Sequence, residues 1–156
     1  MKISVSGKLT KVSKKEASFA AGFFSKMLIS DKLSDGLSLK LKFSDLDYIG
    51  GECGWLDDNV RPKEFEMSIN NTFGRRKQLI SMAHEMVHIK QYATRELVDN
   101  FHLKRQIVWR KTPYNFDDLD YYESPWEIDA YGRELGLYEK YKYFLKITKK
   151  NFKETS

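Results

Sequence analysis

Apolar positions change period along this chain, and the changes mark out its elements. Ile3, Val5 and Leu9 fall on alternate positions over residues 2–12, which predicts a short strand or a lead into a first helix. From Ser13 the spacing lengthens. Phe19, Ala20, Phe23, Phe24, Met27 and Leu28 recur at three- and four-residue intervals, and Ser13 with Glu16 carries the signature of a capping box. An amphipathic helix is expected there, its aromatic stripe facing the core. Beyond a polar turn at residues 31–36, Leu37, Leu39, Leu41 and Phe43 alternate with Ser38, Lys40 and Lys42, the period of a half-buried strand. The glycine-rich stretch from Tyr48 to Trp55 predicts a bend or second strand. After a turn at Asp57-Asp58-Asn59 and Pro62, Phe65, Met67 and Ile69 alternate with polar residues in another strand, a candidate sheet edge for an extended substrate.

A second helix is expected from about Thr72–Arg75 to about Leu97, with Leu79, Ile80, Met82, Ala83, Met86, Val87 and Ile89 on its buried side. Residues 99–120 are less regular. A loop of that length in a small domain is uncommon unless it is functional or partly helical, so Trp109, Tyr114, Tyr121 and Tyr122 become candidates for a cleft wall. Ser124-Pro125 opens a third helix, proline being suited to a first helical position whose N–H has no partner. It is expected to reach about Tyr143 with a break near Gly136, and residues 145–156 to fray. The pattern reads as α+β in one domain over residues 1–156: a small, mostly antiparallel sheet packed against an N-terminal helix, the long central helix and a C-terminal helix.

Inside the central helix stands His84-Glu85-Met86-Val87-His88, the HExxH pattern. Histidines at i and i+4 share one helix face, so both rings can reach a single Zn²⁺, and the glutamate beside the first can act as a base on a metal-activated water. A catalytic zinc site needs a third protein ligand. Glu127, His102, Glu123 and Asp129 compete for that place, although Ser124-Pro125-Trp126-Glu127 also fits a capping box that would use Glu127 as a helix cap.

Composition adds limits. At 156 residues with 41% hydrophobic content the chain can bury a core without disulfides, and its lone Cys53 excludes an intramolecular one, leaving the thiol to pack. A net charge of +5 and a pI near 9.1 permit anionic partners, nucleic acid included, without indicating one, because the basic residues are interspersed with acids and apolar groups. The first ten residues lack the apolar core of a secretory signal, and no run of about 18 apolar residues occurs, so a cytoplasmic location without a membrane partner is expected.

The run HEMVHIKQYATREL, the later VWRK and above all SPWEIDAYGRE resemble a family of small HExxH metallopeptidases carried by phages and bacteria. The strand EFEMSIN followed by the HExxH helix is also similar to SprT-like zincins. The resemblance covers roughly residues 65–136 and implies a minimal Glu-type zincin fold. Zn²⁺ would rest on His84, His88 and Glu127, Glu127-x-x-Ala130 resembling the way such zincins supply a ligand from a second helix. Glu85 would be the general base and a peptide or protein the substrate, in the host cytoplasm if phage-borne. SprT-like proteins take a third histidine from a His-Gly context, whereas His102 is followed by Leu103, so their role at DNA crosslinks is not carried over.

The expected reaction is peptide hydrolysis, with Tyr131, Tyr122 or Arg133 as candidate donors to the oxyanion and Asp129 or Glu134 as candidate carboxylates orienting the histidines. Its rivals are a zinc-stabilised binding module without catalysis and a zinc amidase acting on a small or cell-wall peptide. A fourth protein ligand would mark the first, and a closed pocket the second.

Overall fold

The alternating segments do become strands of one sheet. The computed structural model describes residues 1–100 and 104–152. In it β1 (Lys2–Gly7), β2 (Ser38–Ser44), β3 (Gly51–Trp55) and β4 (Glu64–Asn70) form a four-stranded sheet in the order β1-β2-β4-β3. Leu39, Leu41 and Phe43 pair in register with Phe65, Met67 and Ile69, and all six are buried on the face that receives the helices. Alternating with them, Lys40, Lys42, Glu64 and Glu66 face solvent.

The sheet is not mostly antiparallel, as the pattern had suggested. β1 with β2 and β2 with β4 are parallel, and only β3 with β4 is antiparallel. A parallel pair needs a crossover, and helix α1 (Lys14–Leu28), followed by the single-turn α2 (Asp31–Ser34), supplies it between β1 and β2. Alternation reports burial of one face and carries no information about the direction of the neighbouring strand. The strand order decides the question of the edge: β4 is interior, and the sheet edge that lies against the central helix belongs to β3.

Helix α3 (Arg75–Ala93) lies against β3, β4 and α1, and helix α4 (Pro125–Ile147) packs along α3 and on α1. Phe24 and Phe23 of α1 meet the ring of Tyr141 on α4 at centroid distances of 5.6 and 5.5 Å. Beneath them the buried Glu16 carboxylate pairs with Arg75, which opens α3, and accepts a hydrogen bond from the Tyr141 hydroxyl at 3.4 Å. Three helices are thereby tied at one point, which sets the position of α4 on α3.

Ser13 caps α1, its hydroxyl accepting from the Glu16 N–H at 3.1 Å, but the Glu16 side chain turns to Arg75 and does not return to the cap. Helix α3 ends earlier than its apolar run suggested, because Arg95 takes a left-handed φ of 60° and turns the chain into β5 (Leu97–Asn100), where Leu97 belongs to a strand. Helix α4 has no break at Gly136, which faces open space, and continues to Ile147; beyond it Phe152 stacks on Phe19 at 5.3 Å.

The stretch read as irregular contains an antiparallel meander of β5, β6 (Gln106–Trp109) and β7 (Thr112–Asn115). The β6–β7 turn is made by Arg110 and Lys111 with φ of 46° and 73°, the conformation of a two-residue hairpin turn that Asn-Gly normally signals. Without that dipeptide the hairpin left no local mark. Among the described residues no helix is long and apolar enough to cross a membrane.

Candidate metal centre

Helix α3 is held between the sheet and α4 and is therefore buried around most of its circumference, including His84 at 7%, Glu85 at 6% and His88 at 7% exposure. Polar side chains in so dry a setting must find partners. The imidazole Nδ1 atoms find them outward. His84 Nδ1 lies 2.8 Å from Glu134 Oε2, and His88 Nδ1 lies 2.9 Å from Gln91 Oε1. The Gln91 amide is oriented in turn, since its Nε2 donates to the Trp126 carbonyl at 3.0 Å and to Asp129 Oδ2 at 3.1 Å. Both acceptors call for the proton on Nδ1, which leaves the Nε2 lone pairs of the neutral rings pointing inward.

Those two Nε2 atoms stand 3.1 Å apart, and a carboxylate joins them. Glu127 Oε2 is 3.4 Å from His84 Nε2 and Glu127 Oε1 is 3.3 Å from His88 Nε2. One ligand atom from each of the three residues lies within 4.8 Å of the others, close enough for both rings and the carboxylate to share one divalent cation. Glu127 Oε2 is buried and has no hydrogen-bond partner, the condition of a ligand atom waiting for a cation. Among the described residues this is the group of histidine, cysteine and carboxylate side chains with the spacing of a metal site.

Glu127 reaches this place from the first turn of α4. Its N–H bonds to the Ser124 carbonyl at 3.0 Å, but the capping box is not made: the Ser124 hydroxyl donates back to Asp120 O at 2.9 Å and caps nothing. The buried Ala130, one turn on, presents only a methyl group and lets the two helices approach closely. Of the competing ligands, Asp129 is occupied by Gln91 and Arg133, Glu123 is exposed outside the cluster, and His102 lies outside the described residues.

Charges in the cluster hold one another. Burial works against a charge on His84, but the carboxylates of Glu127 and Glu134 outweigh it and raise its pKa to about 9. Burial would raise Glu127, yet its contacts with His84 and His88 bring it down to about 2. Without a metal, the stability from His84 is therefore complete below pH 6.5 and lost as pH rises through about 9; that from Glu127 is present above pH 4.5 and lost as pH falls through about 2. A metal must displace the His84 proton. Because the His88 pKa is raised as well, apparent metal affinity should fall at least about tenfold per pH unit below pH 9, measured by competition with a chromophoric chelator, and a flat profile from pH 6.5 to 9 would contradict it. Glu134→Ala, which removes the acceptor from His84 Nδ1, should weaken metal binding by about 10- to 100-fold, and an unchanged Kd would refute the orienting role.

Two cavities open beside the cluster and share Ile49, Gly51, Glu85 and Tyr121. The first, about 350 Å³, runs on the His88 side along Gly51, Glu52 and Cys53 of β3. The second, about 680 Å³, runs on the His84 side past Ser81, Tyr131 and Glu134. Glu85 lies where they meet. A Cβ on Gly51 would stand 3.1 Å from Glu85 Cγ and one on Gly50 would stand 2.5 Å from Ser81 Oγ, so the glycine pair is what allows α3 to come this close to β3. Burial raises the Glu85 pKa against the pull of the two imidazoles. Burial and the Glu85 charge also push the Cys53 thiol up; it stays protonated, 3.6 Å from the Glu85 carbonyl, as a packing group.

The aromatic residues expected in a cleft wall divide. Trp109 is buried with Leu97 and Trp126, and Tyr114 packs on Trp126 at 5.9 Å, whereas Tyr121 and Tyr122 do face the cavities. Tyr131 meets the His84 ring edge-to-face at a centroid distance of 4.6 Å, and Arg133 is drawn aside by Asp129. Tyr121 borders both cavities and was not among the expected oxyanion donors; Gln91 was not singled out either, although a glutamine three positions after His88 in an apolar helix was a visible signal. Compared with known proteins, the chain matches no family profile, and no curated protein and no solved structure shows significant similarity to it.

Proposed function

We propose that this protein is a zinc-dependent metallopeptidase, a minimal Glu-type zincin that hydrolyses peptide bonds with Zn²⁺ on His84, His88 and Glu127. The observation that carries the reading is the inward convergence of three lone-pair donors, one of them the orphaned Glu127 Oε2, beside a buried glutamate at the floor of an open groove. The resemblance of HEMVH and SPWEIDAYGRE to small phage and bacterial HExxH metallopeptidases supports it. A zinc ion held there would supply Lewis acidity, lowering the pKa of a water and polarising the scissile carbonyl.

The chain's own groups would do the rest. Glu85 takes a proton from the attacking water and delivers it to the leaving amine. Glu134 and Gln91 hold the imidazoles in one tautomer, and Tyr121 and Tyr131, which line the groove beside them, are the hydroxyl groups from which a donor to the developing oxyanion would come. An extended peptide can pair with the free edge of β3, whose Gly51–Cys53 segment borders the first cavity. Three protein ligands with no fourth among the described residues, and an adjacent Glu85, favour catalysis over a structural zinc; an open groove favours a peptide over a small amide.

Purified without added metal or chelator, the protein should carry about one zinc per chain and cleave unstructured polypeptide. Phenanthroline should abolish cleavage and stoichiometric zinc should restore it. Absence of any bound transition metal would sink the proposal.

A further inference from the structure

The larger cavity extends past the metal cluster towards the first turn of α3, and its outer end is built from Arg76 and Lys77. Both are exposed, and among the described residues neither has a carboxylate within ion-pair distance. They rest instead on aromatic faces, the Arg76 guanidinium 5.5 Å from the Tyr138 centroid and the Lys77 ammonium 3.4 Å from that of Phe73. The carboxylates bordering the same cavity are engaged elsewhere: Glu134 is turned to His84 Nδ1 at 2.8 Å, and Glu85 lies buried at the groove floor. No acidic residue stands in the first turn of α3, where the helix dipole already favours an anion, so two free cations there oppose local preference. Such local conflicts mark functional positions. Tyr48 and Tyr122, 88% and 70% exposed, add hydroxyl donors to the same walls.

We propose that this outer end is a specificity subsite for an acidic side chain of the substrate, recognised by Arg76 and Lys77; the inference rests on the metallopeptidase reading. Helical rise places the two cations roughly 10–12 Å along α3 from His84. An extended chain covers that distance in about three residues, so the favoured aspartate or glutamate lies about three positions from the cleaved bond.

The test uses zinc-loaded full-length protein and acetylated, amidated peptides, identical except that one Asp, Asn or Lys is moved along the sequence, with cleavage sites mapped by mass spectrometry. Wild type should cleave the best Asp peptide with kcat/KM about tenfold above its Asn counterpart, the Asp lying about three positions from the cut. In the Arg76→Gln, Lys77→Gln double variant the Asp-to-Asn ratio should fall close to one, and the Arg76→Lys, Lys77→Arg pair should retain it. Equal rates in wild type, or a preference that survives the double variant, overturn the subsite while leaving the peptidase reading standing. Cleavage of none of the peptides removes both. Binding of a single-stranded DNA oligonucleotide that the double variant abolishes, without any Asp preference, would assign the two cations to nucleic acid instead.

Discussion

Glu127→Ala should leave a folded chain that no longer retains zinc through purification, its metal content falling from about one per chain to a small fraction. The expectation follows from how the three ligands are supplied. The histidines share α3 and keep their spacing whatever α4 does, but two imidazoles bind a divalent ion far less tightly than two imidazoles and a carboxylate. The alanine variant also removes the anion that raises the His84 pKa, so less protonated histidine competes; the net loss is then a measure of the lost bond. Thermal unfolding gives a second reading. A ligand at 100 times its Kd stabilises the native state by about 2.7 kcal/mol, so zinc should raise the wild-type Tm and leave the variant's nearly unmoved. Equal zinc in both proteins would return Glu127 to the role of an uncoupled buried acid and direct the search to His102.

Glu85→Gln should do the reverse: zinc is retained at about one per chain while kcat falls by at least about 10²–10⁴, the range ascribed to a lost general base. The amide is nearly isosteric and fits the space above Gly51 that the carboxylate occupies, so the groove should keep its shape. It cannot accept the water's proton at neutral pH. The two variants together separate the rival readings. A structural zinc site would lose metal and stability with Glu127→Ala, and stability would be indifferent to Glu85→Gln. A peptidase requires that the second variant bind metal and substrate yet fail to turn over. Cleavage by Glu85→Gln at the wild-type rate, or loss of its zinc, would defeat the assigned role.

The sequence by itself determined whatever depends on local period. The alternation of Leu39, Leu41 and Phe43 and of Phe65, Met67 and Ile69 marked β2 and β4, the aromatic stripe marked α1, and the spacing of His84 and His88 put both rings on one face, because 3.6 residues per turn is a property of the helix alone. Tertiary structure decided everything that relates one element to another. Strand direction was hidden because parallel pairing comes from the α1 crossover, and alternation is the same either way. Whether β4 lies at an edge was equally hidden, because strand order is set by which neighbours pair across the sheet, and that order puts β4 inside and β3 at the edge. Most consequentially, Glu127, favoured as the third ligand, was also legible as a helix cap. Only the packing of α4 on α3, tied through Tyr141 to Phe24 and Glu16, brings its carboxylate within 3.4 Å of both imidazoles and leaves Ser124 to bond elsewhere. The partners that orient the histidines, Glu134 and Gln91, come from the same packing, since a side chain's nearest polar neighbour across a helix interface is a matter of distance in space and not of spacing in the chain.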